Sequence, residues 1–151
     1  MNFSFVQEWL KRGNQESNYI FRFFCYYIAF NWLYNSRNEQ REYERIKEYV
    51  KSKISNWNGY NPSTLLKNSD EWRHPVKSER SGKTKSYIIN ETDPVIKLFL
   101  SIYQVRCNLF HGSKSMGNER DAKLVMDGSI VLQDFLNRVI EDGKENEDYA
   151  N

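Results

Sequence analysis

Two residues in the stretch "VRCNLFHG", Arg106 and His111, are of the types that phosphoryl chemistry asks for. Arginine stays charged at any physiological pH, and its planar fork matches two phosphate oxygens. Histidine, with an ordinary pKa of ~6.5, is the side chain best suited to exchange a proton near neutrality. Together they could hold an anionic ester and move the protons its cleavage requires. On an unbroken helix their separation would set them ~140° apart. Gly112 follows His111 directly, however, and a glycine after the last helical residue lets the chain turn, so the imidazole can enter the same cleft as the guanidinium. The bland alternative is that both cations simply complement the helix dipole.

The helix that must position them opens at Asp93, an N-cap residue, with Pro94 in the first helical position, and runs to about Phe110. At ~100° per residue, Val95, Leu98, Phe99, Ile102, Leu109 and Phe110 form one face, with Arg106 in its middle. A guanidinium there cannot shed its charge, so it needs an anionic or carbonyl partner, a wet cleft or a second subunit. An earlier, aromatic-rich helix carries the stripe Ile20, Phe24, Tyr27, Asn31, Tyr34, in which an amide and two phenols replace aliphatics. If the two helices face each other, Asn31 and Tyr34 line a polar pocket around Arg106.

The helical period recurs in five places, about 3–11, 16–37, 39–54, 93–110 and 118–141, and no run alternates as a strand would. The sequence therefore predicts an all-α bundle of about five helices. Gly13 and Gly143 mark the ends of the first and last helices. Between the third and fourth helices the pattern breaks, and residues 55–92, with Gly59, Pro62, Pro75 and Gly82, read as a long polar insertion, functional or mobile. The expected organisation is one helical domain over 1–143 and a flexible acidic tail over 144–151.

A net charge of +2 is too small to mark a nucleic-acid binder by bulk electrostatics, so any anion site must be local. Cys25 and Cys107 have neither zinc-ligand spacing nor paired histidines, so no metal or other cofactor is expected, and two reduced thiols in a cytoplasmic protein are the simplest reading. The N-terminus does not read as a signal peptide. The densest apolar run, from Tyr19 to Tyr34, is shorter than the ~20 residues of a membrane span and contains Arg22 and Asn31, which argues against membrane insertion.

The segment Arg106 to Gly112 with Lys114 after it resembles the R-x4-6-H motif of the HEPN family of all-helical domains, in particular its extended form "RNNLFHG" followed by a lysine. The motif closes a late helix, and an aromatic-rich early helix ends in "FNWLYN", as the family's scaffold would have it. The resemblance covers about 3–54 and 93–141. Cys107 stands where family members often carry Asn, Asp or His.

Many members are metal-independent endoribonucleases that act as toxins of toxin–antitoxin pairs or in phage defence, and they commonly dimerise so that two motifs form one composite site. The resemblance thus implies an endoribonuclease with Arg106 and His111 as catalytic residues and Asn108 as a supporting polar one. It further implies RNA as substrate, a homodimer, and an antitoxin or other partner protein. Some members instead serve as non-catalytic nucleotide- or protein-binding modules, and a nucleotide-modifying role beside a partner enzyme is a third possibility. Aromatics of the second helix, Phe21, Phe30 and Trp32, could supply a desolvated interface around such a site, although core packing is the commoner role for any one of them. Between Lys67 and Lys85 six Lys or Arg face three acids around Trp72, so Arg73 and Lys77, with Lys114, are candidate RNA contacts, against the alternative of a solvated charged loop. The second histidine, His74, lies in the same stretch.

Overall fold

The computed structural model describes residues 2–39, 41–110 and 119–150, with side chains as far as residue 145. All regular structure among them is helical: α1 (Ser4–Gln15), α2 (Tyr19–Tyr34), α3 (Glu42–Ile54), a 3₁₀ turn (Pro62–Leu65), α4 (Ser69–Trp72), α5 (Ser86–Ile89), α6 (Pro94–Phe110) and α7 (Glu119–Ala150). The five long helices are those the periodicity picks out. The single turns α4 and α5 fall within the 55–92 segment.

Local chemistry sets the helix starts. Asn18 Oδ1 accepts from the Ile20 and Phe21 N–H groups at 3.0 and 3.2 Å, so α2 begins at Tyr19 and not at Glu16. Asp93 Oδ1 accepts from Val95 and Ile96 at 2.8 and 3.2 Å, which fixes the start of α6 beside Pro94. In α3, Glu42 and Glu44 occupy the first turn and Lys51 and Lys53 the last, each sign on the end of the dipole that favours it.

The two glycines that read as helix ends are not ends. α1 runs on past Gly13 to Gln15, and α7 runs through Gly143 to Ala150, where the sequence predicts a flexible acidic tail. Both sit where an aromatic ring crosses the helix. A Cβ on Gly13 would lie 2.3 Å from Tyr26 Cε1, and one on Gly143 would lie 2.2 Å from Phe3 Cε2. The missing side chain serves close approach here, and helical backbone is retained. Arg22 then closes the α1–α2 hairpin, its Nε donating to the carbonyls of Gly13 and Glu16, both at 3.1 Å.

The bundle is built around α2, which packs on α1, α3 and α7, while α6 packs on α3 and α7. Phe30 is the junction. It is fully buried, and its ring lies 5.6 Å from Phe99 of α6 and 5.7 Å from Phe135 of α7. Phe99 and Phe135 themselves meet at 4.8 Å. Such pairs each add about 0.5–1.5 kcal/mol to the burial of their surface. Phe30 is therefore core, the commoner role for an aromatic of this helix, whereas Phe21 and Trp32 are 59% and 38% exposed.

The 55–92 segment is tied down along its length. Trp57, Val76 and Ile88 are buried in the main core. Acids of α7 receive its donors: Asp142 takes the Trp57 indole N–H, Asp134 the Tyr60 hydroxyl at 3.2 Å, and Asp127 four groups. Those four are the Lys67 and Asn68 backbone N–H, the Asn68 amide and the Trp72 indole N–H, at 3.0–3.3 Å. Asp127 is 1% exposed, a buried carboxylate with its acceptor capacity filled.

Gly13→Ala is expected to destabilise by about 1–3 kcal/mol through overpacking, although alanine alone would favour a helix interior by ~1 kcal/mol; urea unfolding gives the sign. Asp127→Ala, which orphans several buried donors, is expected to cost about 3 kcal/mol. It should also open residues 66–92 to limited proteolysis at a protease level the parent chain resists.

Candidate functional site

The end of α2, the first residue of α3 and the last turns of α6 converge on one carboxylate, that of Glu42. Its position at the N-terminus of α3 is favourable for a negative charge. Tyr34 donates to Glu42 Oε1 at 2.6 Å, and Asn31 Nδ2 approaches the same oxygen at 3.4 Å and the Tyr34 hydroxyl at 2.8 Å. Tyr103 donates to Oε2 at 3.4 Å. Because the single hydroxyl proton of Tyr34 goes to Glu42, the 3.0 Å contact between Tyr27 and Tyr34 is a bond donated by Tyr27.

Arg106 faces this cluster across 4.0 Å, from its NH1 to Glu42 Oε1. Its guanidinium lies between two rings, 4.6 Å from the centre of Phe110 and 5.4 Å from that of Tyr27. The Nε atom is buried and finds no hydrogen-bond partner among the described residues. The side chain as a whole is 26% exposed, so the cation stands at the rim of the core and not at its centre. The apolar stripe of α6 runs out of the core here: Ile102 is fully buried and Phe110 is 64% exposed. Burial is the largest influence on Arg106 and works against its charge, yet its pKa is raised, because Tyr27 and Glu42 outweigh it. At neutral pH Tyr27 carries no charge, so the attraction that operates is that of Glu42.

The phenols are held un-ionised. Burial, then the bond to Glu42, pushes Tyr34 far above the ordinary value of ~10. Burial and the neighbouring Tyr34 do the same to Tyr27. These groups are donors and spacers at neutral pH, not bases. The cluster can therefore position a permanent cation at a half-open edge and offer its remaining N–H groups to an anion.

The structure thus brings Asn31, Tyr34 and Arg106 together. Asn108 goes elsewhere. Two residues after Arg106, it points about 200° round the helix. There its Oδ1 accepts from the Glu79 N–H at 3.0 Å and Gln104 Nε2 at 2.9 Å, and its amide donates to the Lys77 carbonyl at 2.9 Å. Asn108 clamps the 55–92 segment. Arg73 and Lys77 are exposed on that segment, Arg73 pairing with Asp70 at 3.4 Å. His111, Gly112 and Lys114 lie outside the described residues. Reading the sequence alone missed Glu42 and Tyr103. Tyr103 carried a signal, standing three residues before Arg106 and hence on its face. Glu42 carried only the weak one of an acid in a first turn.

Among the described residues no group of three or more His, Cys, Asp or Glu could hold a metal ion, and no helix is long and apolar enough to cross a membrane. No family model, curated protein or solved structure matches the chain.

Seven of the ten tyrosines, among them Tyr27, Tyr34 and Tyr103, have pKa values raised chiefly by burial. In the unfolded chain they ionise near ~10, so they leave stability untouched below that pH. Above it the unfolded state sheds protons first and stability falls as pH rises. A native spectrophotometric titration should show most of the tyrosinate absorbance only in a late, cooperative step that coincides with loss of helix, whereas in urea all ten phenols should titrate near ~10.

Proposed function

We propose that the chain is an all-α endoribonuclease of the HEPN type that cuts RNA without a metal ion, at a composite site made from Arg106 and His111 of two identical subunits. The observation that supports this best is the placement of Arg106: an obligatory cation at a half-open helix end, steadied by two rings and a carboxylate, with part of its side chain open to solvent. Asn31 and Tyr34 act through Glu42 as positioning residues.

In this reading a 2′-hydroxyl loses its proton to one histidine and its oxygen bonds to the adjacent phosphorus. The bond from phosphorus to the 5′-oxygen breaks, and a second histidine protonates the departing oxygen. The products are a 2′,3′-cyclic phosphate and a 5′-hydroxyl. Arg106 offsets the charge that grows on the non-bridging oxygens. One chain carries one motif histidine, so a base and an acid together call for a two-fold dimer. Its face would be the exposed stripe of α2, Phe21, Ile28 and Trp32, extended by Phe5 stacked on Trp32 at 5.6 Å and by Phe110 beside Arg106. The biological setting we propose is bacterial defence or a toxin–antitoxin pair in the cytoplasm, with a partner protein restraining the activity. The 55–92 segment would be this chain's own insertion into the HEPN scaffold.

A second reading, a non-catalytic module binding a nucleotide or a partner protein, draws on one observation: Glu42 already faces Arg106, so part of the charge a phosphate would feel is offset.

Purified protein incubated with single-stranded and structured RNA in EDTA decides between them. Cleavage that leaves cyclic phosphate ends, and that falls by ~10²–10⁴ in both Arg106→Ala and His111→Ala, is the expected result. Trp32→Glu should shift sedimentation from dimer to monomer and abolish cleavage with it. A folded dimer that cuts no RNA would leave the binding module, and an active monomer would remove the composite site.

A further inference from the structure

A cavity of about 330 Å³ opens between the 55–92 segment and the N-terminal half of α6. This is the lower end of the ~300–1,000 Å³ typical of small-molecule sites. Val76, Ile88 and Leu98, all buried, form its floor. Trp72 forms a wall, its indole held by the N–H bond to buried Asp127 at 3.0 Å. The charged side chains at the rim are of one sign, Arg73 and Lys97, joined by the titratable His74, and no acid lines the cavity. Among the described residues Arg73 pairs with Asp70, both partners more than three-quarters exposed, and such a pair is worth little in water.

The surrounding charge is skewed in the same direction. Of the three acids between Lys67 and Lys85, Glu71 is turned to α7, where Arg120 and Lys123 meet it at 3.5 and 3.6 Å. Lys77, Arg80, Lys83 and Lys85 stay exposed along the segment. Those cations are more numerous than a single carboxylate or headgroup needs, and they suit a polyanion. The segment leads from the cavity to Asn108, which clamps it through the Lys77 carbonyl and the Glu79 N–H. Lys97, Ser101 and Asn108 share a face of α6 about 140–180° round from Arg106. The cavity is thus separate from the Arg106 cluster, with the ~10–12 Å thickness of one helix between them.

We propose that this cavity is a nucleobase subsite for single-stranded RNA. One base enters against Trp72 and the apolar floor, and the flanking phosphates lie on Arg73, His74 and Lys97. The subsite rests on RNA being the substrate, as proposed above, and would hold a strand that passes over the end of α6 to Arg106. Stacking on a fixed indole tolerates any base, so the site contributes grip and register and little sequence preference.

The test uses a short 2′-O-methyl RNA oligonucleotide, which binds but offers no 2′-hydroxyl for attack. Binding by the full chain should move the Trp72 indole N–H resonance, assigned by its disappearance in Trp72→Phe. Replacing the bases by abasic sites should weaken binding to the unaltered protein about tenfold. Arg73→Glu with Lys97→Glu should weaken it by a similar factor and reduce the slope of log affinity against log salt by roughly 0.7 for each phosphate that is no longer neutralised. Lys11→Glu, the same kind of charge change on α1, should have no comparable effect. Equal affinity for abasic and normal strands, an unmoved Trp72 resonance, or displacement of the oligonucleotide by a long-chain fatty acid bound at Trp72 would each overturn the subsite. The two proposals separate cleanly: binding with these signatures in a protein that never cuts RNA keeps the subsite and removes the nuclease. Cleavage unaffected by the Arg73 and Lys97 changes does the reverse.

Discussion

The carboxylate of Glu42 is the acceptor on which three helix ends depend. Tyr34 and Asn31 come to it from α2, Tyr103 and Arg106 from α6, and its own helix begins beneath it. Three-quarters covered and surrounded by two phenols, an amide and a guanidinium, the carboxylate is a satisfied hub. The same bonds determine what each partner can do. Tyr34 gives its proton to Glu42 and so accepts from Tyr27, which removes both phenols from acid–base work near neutrality. Arg106 is drawn to the cluster without being consumed by it, since a 4.0 Å ion pair leaves donors over.

A second set of carboxylates organises the other side of the molecule. Asp127, Asp134 and Asp142 turn α7 into a spine that receives the donors of an otherwise irregular segment. Irregular backbone cannot satisfy its own N–H groups, so a long non-helical stretch can be packed only where acceptors are supplied from outside. α7 supplies them on one side and Asn108 of α6 on the other. The result is a fixed shelf, with Trp72 held by the same aspartate that caps the backbone before it, and with its surplus cations facing water.

The two faces of α6 are thereby given different work. The face of Arg106 looks toward α2 and α3, and the face of Asn108 holds the shelf. Two residues only two positions apart in one sequence motif end up on opposite sides of one helix, because two steps of ~100° separate side chains as surely as three or four unite them. Membership of a motif says that residues share a helix end; it does not say that they share a site.

Local sequence was enough for the five long helices, for the Asp93 cap, and for the oddity of Arg106 on an apolar face, since these are matters of spacing, residue type and backbone hydrogen bonding. It was enough, too, to place Asn31 and Tyr34 on one stripe of α2. Tertiary structure decided the rest. Gly13 and Gly143 read as helix ends because glycine usually serves there, yet here a ring from elsewhere in the chain needed the space a Cβ would fill. The 55–92 segment read as a loop because Trp57, Val76 and Ile88 follow no period, and only the spacing of acids on a helix dozens of residues away turns it into packed structure. Glu42 gained its role in the same way: in the sequence it is one of two acids in a first turn, and its partners lie on two other helices that only the packed bundle brings within a hydrogen bond's length.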